Sequence, residues 1–163
     1  MAKSSDRSDG SFFLIILFLA YLVFLVRFVV IKCPFKEALD VLGMWNKELI
    51  RDGLDQANFT LLKTIKMYLE YAYKLNSFDN LAGNIVLLIL FGVLLPGINR
   101  IAGNFFGFLI HAGLLVLMIE IFQMATGLGV FDVDDILLNM VGCVFGFCVY
   151  TLLPHRRKKR RNR

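Results

Sequence analysis

Four long apolar runs constrain this chain more than any other feature of its sequence. They cover Ser11–Ile31, Leu81–Leu95, Phe105–Met124 and Ile136–Leu153, and only Arg27 interrupts the first. A membrane-spanning helix needs about 20 mostly apolar residues, so three runs are long enough and the run from Leu81 is short or tilted. With 58% hydrophobic residues and a mean hydropathy of +0.67, the chain is too apolar for a typical soluble domain. The sequence therefore predicts an all-α, polytopic membrane bundle of about four transmembrane helices.

The charge distribution predicts how this bundle crosses the membrane. We expect helices at about residues 11–31, 81–98, 105–124 and 135–153, which make residues 11–153 the membrane domain. Residues 154–163 are strongly basic, and a basic cluster directly after a spanning helix is typical of the cytoplasmic side. The short tail of residues 1–10 is then cytoplasmic as well. The basic tail suits anionic membrane lipids and needs no nucleic acid to explain it.

Residues 32–80 form the predicted extracytoplasmic segment. Apolar residues recur with a helical period from Asn58 to Leu75 and, more weakly, from Lys36 to Ile50, which predicts amphipathic helices. Trp45 and several tyrosines suit the headgroup layer of a membrane. Two placements stay open, because such helices either lie in the membrane interface or pack on the spanning bundle. In either placement the segment covers the outer face of the bundle.

Polar residues within the apolar runs are the candidate functional residues, because burying them in a membrane is costly. At about 1.5 Å of rise per residue, the acids, the amides and Arg27 fall in the outer half of the predicted bundle, whereas His111 lies near the inner end of its helix and is expected only to pack or to form a hydrogen bond. Glu120 and Gln123 share one helix face. The last helix continues its polar stripe into Gly142 and Gly146, a small-residue pattern of close helix packing, and we expect the third helix as its neighbour. The candidate site residues are Arg27, Asn84, Glu120, Gln123, Asp132, Asp135 and Asn139.

Glu120 is the deepest acid of this set, and it must be protonated, paired or bound to a cation. Arg27 is the expected ionic partner. A divalent cation held by Glu120, Asp132 and Asp135 is one alternative, since hard cations take carboxylate oxygens. A purely structural polar clamp and a ligand site open to the outer surface are two others. No Ser-His-Asp set, phosphate-binding glycine loop or zinc-protease motif is present, so the sequence does not favour an enzyme and requires no cofactor.

The acidic C-terminal half resembles the VanZ-like family. The resemblance rests on the pair Glu120 and Gln123, followed by the motif Gly129-Val-Phe-Asp-Val-Asp-Asp-Ile-Leu-Leu-Asn-x-x-Gly-x-x-x-Gly146. Asn84 with Gly92 and Pro96, and Arg27 followed by Pro34-Phe35, are similar to further motifs of the family.

Two departures from the family pattern stand out. Leu88 and Leu90 replace the usual Phe-x-Pro of the second helix, which removes the expected kink. Val130 stands where an arginine often precedes the acidic segment, which removes a charge partner for the acids.

The resemblance implies a multi-pass protein of the bacterial cell membrane. The founding member confers resistance to the glycopeptide teicoplanin, so the resemblance implies a non-enzymatic role in resistance to glycopeptide or other lipophilic antibiotics. The expected ligand of the polar site is then a lipid-linked cell-wall precursor or the antibiotic itself. Two alternatives are an intramembrane enzyme acting on such precursors, with Glu120 or Asp135 as general base, and a small transporter with Glu120 as proton relay.

Overall fold

The described part of the chain is helical throughout its regular structure, which confirms the predicted all-α class. The computed structural model describes residues 5–31, 33–71 and 77–153, with side chains from Ile15 onward except at 71, 77–82 and 84. The predicted basic tail, residues 154–163, lies outside these residues. The elements are α1 (Ser5–Leu25), a π-helical turn (Val26–Val30), α2 (Phe35–Gly43), α3 (Lys47–Gln56), α4 (Lys63–Tyr71), α5 (Ser77–Ile98), α6 (Phe105–Thr126) and α7 (Val133–Leu152).

Two helices of the described chain, α6 and α7, are each long and apolar enough to cross a membrane. A third span is formed if Ile15–Val30 and Phe35–Gly43, which meet at a bend of 71°, count as one broken span. The described apolar part of α5, Ile85–Ile98, is shorter than a full span. The prediction of four transmembrane helices therefore stays a prediction, while the predicted apolar runs do form the long helices.

The glycines of α7 pack against α5, so the expectation that they face the third helix is wrong. A Cβ atom on Gly142 would lie 2.9 Å from the carbonyl oxygen of Ile85, and one on Gly146 would overlap the carbonyl oxygen of Ile89. On the opposite side of the same contact, a Cβ atom on Gly92 would overlap the backbone of Cys143. These three glycines, the glycine contact, bring the two backbones together more closely than any side chain would allow.

The helix α1 packs against this pair and closes the core. Tyr21 is buried, and its hydroxyl donates a hydrogen bond of 2.8 Å to the carbonyl oxygen of Leu87. From α6, Phe108 is fully buried and stacks on Phe147 of α7 with ring centroids 4.6 Å apart. The core thus follows the bundle axis, and it is apolar except at one end.

The segment between α1 and α5 is helical and amphipathic, as predicted, but the helix boundaries differ. The pattern from Lys36 to Ile50 is interrupted after Gly43, where Asn46 caps a new helix by accepting a 2.8 Å hydrogen bond from the amide of Leu49. The pattern from Asn58 gives a helix only from Lys63 onward. Tertiary contacts of Asn58 and the residues that follow it override the local helical period there.

Candidate functional site

The loop between α6 and α7 is where the amphipathic segment is hydrogen-bonded to the membrane helices. Gly127 ends α6 with a left-handed φ of 73°, a conformation that favours glycine. The chain then forms a short parallel bridge: the amide of Asn58 donates to the carbonyl of Phe131 at 2.8 Å, and the amide of Val133 donates to the carbonyl of Asn58 at 3.1 Å. This bridge holds the start of α7 against the residues that lead into α4.

Asp134 fixes the beginning of α4. Its side chain is fully buried, and its carboxylate accepts hydrogen bonds from the amides of Leu62 at 2.6 Å, Thr64 at 2.8 Å and Ile65 at 3.2 Å. Amides at a helix N-terminus lack partners within the helix, and a carboxylate there also interacts favourably with the helix dipole. Leu62 adopts a φ of 66°, a strained backbone conformation for a leucine, which these contacts maintain. Asp134 therefore acts as the cap of a helix that lies about 70 residues away in sequence.

Asp132 links three parts of the same assembly. It caps its own helix, α7, by accepting from the amide of Asp134 at 2.8 Å. Its carboxylate also accepts from the side-chain amide of Asn58 at 2.9 Å and from the hydroxyl of Thr64 at 2.5 Å. The amide of Asp132 in turn donates to the carboxylate of Glu120 at 3.2 Å. Glu120, Asp132 and Asp134, the acidic cluster, thus lie together at one end of the bundle.

Glu120 and Gln123 reach this end from α6, and each is only 1% exposed. The side-chain amide of Gln123 donates to the carbonyl oxygens of Val29 at 2.8 Å and Val30 at 3.3 Å. These carbonyls end the π-helical turn that follows α1, where backbone acceptors need partners outside the helix. The sequence prediction that Glu120 and Gln123 share a face agrees with this geometry, but they bind different elements: Glu120 accepts from the N-cap residue of α7, and Gln123 donates to the π-helical turn.

The remaining predicted site residues do not all converge on the cluster. Arg27 is exposed, donates to the carbonyl of Ile31 at 2.9 Å, and lies 5.5 Å from the ring centre of Phe28. No ion pair between Arg27 and Glu120 is present in the described chain, so the expected pairing does not form there. Asn139 is 3% exposed and Asp135 is half-buried, both on α7. The side chain of Asn84 lies outside the described residues.

Three residues of the assembly were missed by sequence reasoning: Asn58, Thr64 and Asp134. In the sequence Asp134 stands out only as part of the acidic family motif, although it is the most buried of the three neighbouring aspartates. One sequence feature could have indicated this role of Asp134. The amphipathic helix α4 has no acidic residue in its first turn to cap its amides. A distant acid is one way to supply that cap.

The carboxylates of the acidic cluster accept hydrogen bonds from backbone amides and from side chains. Both carboxylate oxygens of Asp132 and both of Asp134 accept hydrogen bonds. In the part of the chain that the structure describes, no group of three or more histidine, cysteine or acidic side chains is arranged to hold a metal ion. The arrangement can neutralise buried negative charge and hold α4, α6 and α7 together, which is the chemistry of a clamp.

A cavity of about 370 Å³ lies next to this cluster, between α3 and the loop that connects α6 to α7. Its walls include Val41 and Leu49 on one side and Leu128 and Val130 on the other. Asp52 and Gln56 of α3 supply its polar side chains. It is therefore an amphipathic opening at the same end of the bundle as the acidic cluster.

These features define a helical membrane protein with a polar assembly closing one end of its bundle. The family model described as VanZ/LLP1 matches residues 18–154, and the chain belongs to that family. This match confirms the resemblance drawn from the acidic C-terminal half. No curated protein and no solved structure matches the chain.

Proposed function

We propose that this VanZ/LLP1-family protein works at the outer face of a bacterial cell membrane, where it lowers susceptibility to teicoplanin-like glycopeptides or other lipophilic antibiotics. In this proposal both termini are cytoplasmic, and the acidic cluster faces the cell exterior. The polar site at that end binds a lipid-linked cell-wall precursor or the antibiotic, and it acts without catalysis.

One observation carries the proposal: buried carboxylates are gathered at a single end of an otherwise apolar bundle. Glu120 and Asp134 are buried and Asp132 is half-buried, and placing these carboxylates there costs free energy unless donors compensate each charge. For Asp134 the compensation comes from the amides that begin α4, and this attaches the amphipathic segment to the spanning helices. A fixed amphipathic surface beside a cavity is what a protein needs to hold an amphiphilic molecule at the membrane surface.

The second element of the proposed mechanism is the contact between Gln123 and the π-helical turn. Because the side-chain amide of Gln123 donates to the carbonyl oxygens of Val29 and Val30, the π-helical turn is held against α6. Together with the hydrogen bond between Glu120 and the amide of Asp132, this fixes α6 beneath the cavity that α3 and the α6–α7 loop enclose. The parts are held in place before any ligand arrives, which lowers the entropic cost of binding.

The test is expression of the chain in a sensitive Gram-positive host, with teicoplanin susceptibility and membrane abundance measured together. The wild-type chain is expected to lower susceptibility, and Glu120→Gln is expected to remove that effect at normal abundance. Asp55→Asn, at an exposed position of α3, is the matched control and should behave as wild type. Unchanged susceptibility with abundant wild-type protein would remove the proposed role, and loss of abundance in Glu120→Gln would leave Glu120 a structural residue.

A further inference from the structure

The cavity between α3 and the α6–α7 loop is bordered by closely packed contacts. A Cβ atom on Gly53 would lie 3.1 Å from both the side chain and the carbonyl oxygen of Met124, so α3 touches the end of α6 directly. A Cβ atom on Gly127 would approach the side chain of Leu49 to 2.6 Å. The indole of Trp45 adds a hydrogen bond of 2.8 Å to the carbonyl of Ala125. The cavity therefore lies between α3 and the α6–α7 loop, which are in direct contact at Gly53 and Gly127.

The chemistry of the cavity is divided between an apolar and an acidic part. Leu49, Leu128 and Val130 give it apolar walls, whereas Asp52 supplies a carboxylate at its rim, beside the amide of Gln56. Within the described chain, the Asp52 side chain has no hydrogen-bond or ion-pair partner, and no basic side chain lines the cavity. The negative charge at this rim is therefore available to a ligand.

We infer that this cavity binds a membrane amphiphile whose head group carries a cationic amine. The amine would donate to the Asp52 carboxylate and the side-chain oxygen of Gln56, while the chain lies along Leu49, Leu128 and Val130. An anionic head group is disfavoured because the rim carries a negative charge and no positive one. The inference rests on the proposed function in one respect, the side of the membrane to which the cavity opens. Beyond that function, it names the binding site and the chemical class of the ligand.

Trp45 makes the binding measurable, because it is the single tryptophan of the chain and its indole donates a hydrogen bond to Ala125 of α6, two residues before Gly127 of the cavity lining. The purified full-length protein is placed in nanodiscs of neutral phosphatidylcholine. Dodecylammonium with a bromine at its chain end is titrated in, and the bromine quenches tryptophan fluorescence on contact. Brominated dodecanoate, the anionic counterpart, measures quenching by probe that has merely entered the bilayer.

The expected result is saturable quenching by the ammonium probe above the level given by the dodecanoate probe. Asp52→Asn is expected to weaken the apparent affinity about fivefold, as removal of one partly exposed charge contact does. Asp55→Asn, on the same helix but outside the cavity lining, should leave it unchanged. Val130→Phe, which fills the cavity from its loop side, should abolish the saturable part.

Equal quenching by the two probes, or the same affinity in Asp52→Asn and wild type, would overturn the inference. The proposed function is judged separately by susceptibility in cells. Absence of amine binding in a strain that is still protected would overturn the inference alone, and binding without any change in susceptibility would remove the proposed function alone.

Discussion

Two regions of the molecule hold α7 in place by different interactions. One is the glycine contact with α5, and the other is the acidic cluster at the N-terminal end of α7. At the glycine contact, Gly92, Gly142 and Gly146 remove side chains so that two backbones meet. At the acidic cluster, Asp132 and Asp134 add charged acceptors that are matched to particular amides. Close packing is sensitive to added volume, whereas a hydrogen-bonded carboxylate is sensitive to lost charge or lost acceptors. The two regions should therefore fail under different substitutions.

The largest effect is expected from adding volume at the glycine contact. Gly146→Ala places a methyl group against the carbonyl of Ile89, and the helices must separate to accept it. We expect a loss of about 3 kcal/mol or more in stability and little folded protein in the membrane. Thermal unfolding in detergent and membrane abundance measure this loss.

Gly113→Ala on α6 is the matched control, because a Cβ atom there meets nothing within 4 Å. Alanine is the better helix former, so this control should be neutral or slightly stabilising. Equal behaviour of the two alanine variants would contradict the close backbone approach at Gly146.

The next largest effect is expected from removing the charge that caps α4. Asp134→Ala leaves the half-buried amides of Leu62, Thr64 and Ile65 without their carboxylate acceptor. We expect a loss of about 2–3 kcal/mol, concentrated in the attachment of α4. Proteolysis should cut within residues 57–65 of the variant, while the membrane helices stay intact.

Asp55→Ala serves as the control for Asp134→Ala, since Asp55 is exposed. If both variants resist protease equally, Asp134 does not hold α4. If the whole bundle unfolds and not only the α4 region, the contact between Asp134 and α4 and the membrane helices form one cooperative unit.

A smaller effect is expected at the contact between α6 and the π-helical turn. Gln123→Leu keeps the approximate volume but removes the amide that donates to the carbonyls of Val29 and Val30. We expect a loss of about 1–2 kcal/mol, seen as a lower unfolding temperature. Phe122→Leu, at the exposed neighbouring position, should change that temperature far less. An unchanged temperature in Gln123→Leu would count against this attachment.

The smallest effect is expected from removing divalent cations. The oxygens of Asp132 and Asp134 already accept hydrogen bonds, so a cation would have to displace those donors. We therefore expect the same unfolding temperature with EDTA, magnesium or calcium present, because only a ligand that binds the folded state raises it. A clear rise with one cation would revive the sequence-based expectation of a metal held by Glu120, Asp132 and Asp135.

The sequence predicted what local pattern determines and missed what distant contacts determine. The apolar runs gave the helices α6 and α7, and the small residues Gly142 and Gly146 gave a close contact. The identity of the partner helix was wrong, because a small-residue stripe is equally compatible with either neighbour. Asp134 was missed because spacing arguments find partners on the same helix, whereas its partners precede it by about 70 residues. The early start predicted for the helix at Asn58 failed for the same reason.

The central claim is that the acidic cluster and the loop beside it lie outside the cell. The most direct measurement is thiol labelling of intact cells with a membrane-impermeant maleimide, after Cys33, Cys143 and Cys148 have been replaced. Val130→Cys lies at an exposed loop position next to the cluster, and Leu153→Cys lies at an exposed position beyond the far end of α7. The account predicts that Val130→Cys is labelled in intact cells and Leu153→Cys only after permeabilisation. Labelling of Leu153→Cys in intact cells, with Val130→Cys protected, would contradict it.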